Sequence, residues 1–82
     1  MNKAIYVLWI DSAGTDRWFP ADQADGKVSL IESVGWLVGE YDKTIEITHS
    51  WSYENNIMGV LAIPKCAILK RHYLKEIKRN AE

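Results

Sequence analysis

Short apolar runs, each stopped by turn-forming residues, are the feature that most restricts how this chain folds. The first, Ile5-Tyr6-Val7-Leu8-Trp9-Ile10, is β-branched and aromatic and too short for an independent helix. It reads as a strand covered on both faces. The longest strand candidate spans 28–41. Val28, Leu30, Glu32, Val34, Trp36 and Val38 share one face by period two, and Ser29, Ile31, Ser33, Gly35, Leu37 and Gly39 share the other. Neither face is uniformly apolar. A strand that changes its buried side midway must bend, and Gly35 and Gly39 mark where. The segment 44–51 alternates cleanly, putting Ile45, Ile47, His49 and Trp51 on the side expected to be buried. Segments 57–63 and 68–74 complete five strands.

The connections are equally legible. Asp11-Ser12-Ala13-Gly14-Thr15-Asp16 opens a long loop rich in turn chemistry, and Arg17-Trp18-Phe19-Pro20 is an aromatic island within it. Pro20 suits the first turn of a marginal helical piece over 21–24, closed by Gly26. Tyr41-Asp42-Lys43 is a tight turn. Asn55-Asn56 suits a two-residue hairpin, since Asn tolerates the left-handed conformation. Pro64 ends its strand's pairing, and Pro64-Lys65-Cys66-Ala67 has the length of one 3₁₀ turn. The charged tail over 75–82 frays or extends as a short helix. Long loop, tight turn, tight turn and 3₁₀ turn give the order of an SH3-like barrel and its Sm-like relatives. The expectation is one mainly β domain over 1–82, a small five-stranded SH3-like (Sm-like) barrel with a strongly bent second strand.

A chain of 82 residues buries only about 60–65 % of the surface its unfolded form exposes. Such thin cores often gain stability from a second copy. Four Trp and four Tyr offer more aromatic surface than one small core easily absorbs. Some of it is expected in an interface or ligand pocket; the alternative is that two or three Trp simply fill the core. Ten basic against eleven acidic side chains leave a net charge of −1, without the basic excess usual among nucleic-acid binders. A single cysteine excludes an internal disulfide. No signal peptide and no membrane span are recognised, which points to a reducing cytoplasm.

The pattern Val7-Leu8-Trp9-Ile10-Asp11-Ser12-Ala13, then Trp18, Ser33-Val34-Gly35-Trp36-Leu37-Val38, an Ile-rich strand and Ile63-Pro64-Lys65-Cys66-Ala67-Ile68 resembles small uncharacterised proteins of tailed bacteriophages. It covers the chain from about Ile5 to Ile68, and its motifs are structural. The middle and last strands also resemble an Sm-type module, with a Gly-x-Leu strand followed by Ile-Pro-x-x-x-Ile. The amino-terminal helix of Sm proteins has no counterpart before Ile5, and their Asp/Asn-rich RNA-binding positions are not evident. Ring assembly and RNA binding therefore do not carry over. The phage resemblance implies an accessory protein acting in the host cytoplasm.

No catalytic set is expected. Cys66 and His72 are separated by a 3₁₀ turn and by a strand that carries His72 about 13 Å past Ile68. Cys66 reads as a small buried apolar residue. Ser12 with Asp11 and a distant His49 lacks any nucleophile signature. Two His, one Cys and scattered carboxylates show no metal-binding spacing, so neither metal nor cofactor is expected. His49 reads as a buried, hydrogen-bonded histidine. Asp22 and Asp25 are turn and cap residues.

The positive signals are aromatic. Trp9, Trp18, Trp36 and Trp51, with Tyr41 and Tyr53, offer faces for stacking, worth about 1–3 kcal/mol per base. Arg17, Lys43, Lys70 and Arg71 are available to phosphate. The residues expected to carry ligand contact are Trp9, Asp11, Arg17, Trp18, Trp51, Tyr53 and Arg71. The functional expectation is a non-enzymatic, homo-oligomeric binding module for a host protein or a small nucleotide-like ligand. The alternative is an Sm-like or SH3-like nucleic-acid binder, which the acidic balance disfavours.

Overall fold

The structure, a computed structural model, describes residues 3–15 and 17–75. Five strands form one antiparallel sheet: β1 (Ala4–Asp11), β2 (Ser29–Glu40), β3 (Thr44–Trp51), β4 (Ile57–Pro64) and β5 (Ile68–Tyr73). Their order is β4-β3-β2-β1-β5, so β4 and β5 are the two edges of an open sheet. Helical structure among the described residues amounts to two 3₁₀ turns, Ala21–Gln23 and Lys65–Ala67. Pro20 and Pro64 stand just before them in extended conformation. None of these elements is a helix long and apolar enough to cross a membrane. Of the charged tail, 76–82 lies outside the described residues.

The bend in β2 is built where the glycines stand. Residues 29–36 pair with β1, whereas 36–40 pair with β3, and the register shifts between Leu37 and Gly39. That shift leaves Val38 as the extra residue of a bulge, which bends a strand and increases its twist. At Gly35 a Cβ would lie 2.6 Å from the carbonyl oxygen of Thr48. The backbones approach closely there because no side chain intervenes.

Ile5, Val7, Trp9, Ile45, Ile47 and Ile63 form the core, with Ile31, Leu37 and Ile68 packed against them. Burial of each full-sized aliphatic side chain contributes about 1.5–3 kcal/mol. Beside this core Glu40, at the end of β2, accepts from Arg71 Nη2 of β5 at 2.9 Å and pairs with Lys65 Nζ at 3.2 Å. The cluster ties β2 to β5 and to the turn that joins the sheet's two edge strands.

Past Thr48, β3 leaves β2 and pairs only with β4. The expectation that His49 is buried fails for this reason. His49 continues the alternation of Ile45 and Ile47 but is exposed, because no β2 strand lies alongside to cover it. Thr48 is buried instead, 1 % exposed, between Trp36 and Val60 in adjacent strands. Its hydroxyl lies 2.6 Å from the Met58 carbonyl, to which it donates. Cys66 is also exposed, since its 3₁₀ turn runs along the surface. The β3–β4 connection is wider than two residues. Ser52 N–H donates to Asn56 O, Asn55 N–H to Ser52 O, and Trp51 Nε1–H to Asn55 Oδ1. Asn55 takes the left-handed conformation at φ 67°.

Candidate binding surfaces

The residues expected to contact ligand divide among five places. Trp9 is 8 % exposed and its indole N–H donates to Ser33 Oγ at 3.1 Å, so its ring belongs to the core. Asp11 ends β1 and accepts from its neighbour's backbone, Ser12 N–H, at 2.8 Å. Arg17 and Trp18 lie together in the β1–β2 loop, lining a shallow hollow with Gly14, Thr15 and Phe19. Trp18 is fully exposed. Trp51 lines a different hollow, at the far end of the β3–β4 hairpin, with Ser52, Asn56, Ile57 and Met58. Tyr53 stands almost fully exposed in the turn beside it.

Arg71 is engaged rather than free. Its hydrogen bond to Glu40, reinforced by their charge attraction, holds the guanidinium proton more firmly and outweighs partial desolvation. The same bond, followed by that from Lys65, holds the Glu40 carboxyl below its ordinary range. Elsewhere two phenols are held protonated to higher pH by carboxylate acceptors. Tyr6 Oη donates to Glu32 Oε2 at 2.7 Å, and Tyr41 Oη donates to Glu46 Oε1 at 2.8 Å. Tyr6 also stacks on His72, with ring centroids 4.9 Å apart. His49 Nδ1 lies 2.7 Å from Ser50 Oγ, and its ring covers Gly59. Among the described residues no three His, Cys, Asp or Glu side chains come together as metal ligands.

Exposed apolar side chains on β2 and β4 were not singled out as ligand contacts. On β2, Leu30 and Val34 stand exposed and Trp36 partly so, and on β4 Ile57, Met58, Val60 and Leu61 are exposed to differing degrees. Only Ile63 of the eight residues in β4 is buried. The signal in the sequence was the absence of alternation and of charge over 57–63. It distinguishes no face, because a continuous apolar run fits either two buried faces or two uncovered ones. No protein-family model matches the chain, and no curated protein or solved structure matches it.

Proposed function

We propose that this chain is a non-enzymatic binding module that works as a homo-oligomer. The observation that carries the reading is the uncovered apolar surface of β4 and of the outer residues of β2. Apolar side chains that the chain's own strands leave uncovered are candidates for association. A two-stranded hairpin without further cover is at best marginally stable in water, and the far half of β3–β4 is such a hairpin. Strand order and the 3₁₀ turn before β5 support an SH3-like or Sm-like relationship. The likeness to small tailed-phage proteins supports an accessory role in the host cytoplasm.

The ligand in this reading is a host protein or a small nucleotide-like molecule, met by the exposed aromatic groups Trp18, Trp51 and Tyr53 together with Arg17. Arg71 contributes less, because Glu40 already neutralises it. Nucleic-acid binding rests on Arg17 beside Trp18 and is the weaker reading for the same reason. Sedimentation equilibrium tests the first part: the reading requires a mass above the 9.4 kDa of one chain. Titration with a single-stranded oligonucleotide tests the second. Affinity that falls steeply with salt favours the nucleic-acid reading, and no binding at low salt removes it.

A further inference from the structure

We infer that the open edge of β4 is the docking site for a second copy of this chain, β4 pairing antiparallel with β4 about a two-fold axis at Leu61. This inference rests on the homo-oligomeric reading above and names its interface. The two edges of the sheet differ in the features that decide whether an edge pairs. β5, Ile-Leu-Lys-Arg-His-Tyr, carries Lys70 and Arg71, and its register with β1 shifts so that Leu69 is an extra residue. Charge and bulges are the devices that keep an edge strand from accepting another. β4, Ile-Met-Gly-Val-Leu-Ala-Ile-Pro, carries no charged side chain, and from Val60 to Pro64 it pairs with β3 residue by residue without a shift.

The backbone of β4 is oriented for this role. Lys65 N–H donates to Lys43 O at 2.8 Å, one step beyond the Thr44–Pro64 pair. Bonded pairs alternate in an antiparallel ladder, so Ile63 and Leu61 turn their backbone groups toward β3. Val60, Ala62 and Pro64 turn theirs to the open side, where the missing N–H of proline costs the β3–β4 ladder nothing. From the other end, Ser52 N–H donates to Asn56 O, which sets the opposite alternation. The change falls at Gly59, whose φ is +73°. Gly59 and Pro64 therefore bracket a short edge of regular alternation.

Laid antiparallel on its own copy, this edge puts Val60 of each chain opposite Ala62 of the other, with N–H and C=O groups exchanged in both pairs. Leu61 faces its own counterpart at the axis. Every side chain brought together is uncharged, so a strand facing itself meets no like charge, which a self-complementary interface requires. The pairing covers Val60 and Leu61. It also consumes both β4 edges, so assembly closes at two chains.

The experiment uses the full chain with Cys66→Ser as background. Opposed residues at a non-bonded antiparallel pair have Cα atoms about 4.5 Å apart, within disulfide reach. Leu61→Cys is expected to oxidise to a covalent dimer, while Leu69→Cys on the β5 edge is not. Ala62→Lys places a charge at the pairing edge, opposite Glu46 of its own sheet, where the single chain tolerates it. It is expected to raise the dimer dissociation constant by about tenfold or more. A native chain that is monomeric at every concentration overturns both the oligomer reading and this interface. A native oligomer in which Leu61→Cys fails to cross-link, or cross-links instead to Leu69→Cys, overturns the interface alone. If Ala62→Lys loses its fold by circular dichroism, the cross-linking result decides.

Discussion

The near and far halves of the β3–β4 hairpin share one register but live under opposite conditions. In the near half, Ile45 faces Ile63 and both are fully buried against β1 and β2 residues. In the far half, Trp51 faces Ile57, and Ile57 keeps 37 % of its surface exposed. Large apolar side chains occur in both halves, Ile45, Ile47, Leu61 and Ile63 in one and Trp51, Ile57, Met58 and Val60 in the other. What differs is β2, which runs beside β3 only from 36 to 40 and then belongs to β1. Burial in this molecule is decided by which strand lies alongside, not by hydrophobicity of the segment. The far half consequently leaves apolar side chains exposed, and the near half buries Ile45, Ile47 and Ile63.

The sharpest break of this comparison is a matched pair of truncations. Ile45→Ala should cost about 2–5 kcal/mol in urea unfolding, whereas Ile57→Ala should cost less than about 1 kcal/mol for a single chain. Equal losses would mean that the two halves are packed alike. Next in size, Gly35→Ala should destabilise by about 1–3 kcal/mol, because its Cβ meets the Thr48 carbonyl oxygen where β2 and β3 part. An unchanged melting temperature would place the junction elsewhere. Thr48→Val removes the hydroxyl that ties the junction to Met58 and should cost about 1 kcal/mol. Its signature is faster hydrogen exchange in the far half than the native chain shows there.

The smallest expected effect concerns pH. Glu40 has a folded pKa below its unfolded value, through its hydrogen bonds from Arg71 first and Lys65 second. Its stabilising contribution is therefore complete above the ordinary carboxylate range and is lost as pH falls through the depressed value. Glu40→Gln should melt slightly lower than the native chain at neutral pH, and the gap should close under acid. A gap independent of pH would show that the cluster does not act through the carboxylate charge. Its solvent exposure keeps this contribution small.

The strands were legible because their signals are local. Period two over 44–51, proline at 64 and glycine at 35 and 39 each act within a few residues, and the structure realises them as β3, the end of β4 and the bend of β2. Cover is not local. Nothing near His49 indicates that β2 turns away from it, so alternation alone placed it inside. Likewise 57–63 reads the same whether its strand is central or at an edge. The partial legibility of the binding surface has the same cause. Trp18 and Tyr53 stand exposed in turns, where an aromatic residue has little to pack against, whereas Trp9 was spent on the core and Arg71 on a carboxylate from β2.

One chain leaves half of its β3–β4 hairpin uncovered. Amide hydrogen exchange at high dilution tests it most directly, because bonds of nearly equal length sit beside the core, between β2 and the start of β1, and at the far turn of the hairpin. Leu37 N–H donates to Lys3 O at 2.9 Å beside the core, and Ser52 N–H donates to Asn56 O at 2.8 Å at the far turn. Leu37 should exchange only through near-global unfolding, while Ser52 should exchange orders of magnitude faster through local opening. Equal protection of the two amides in the dilute chain would contradict it.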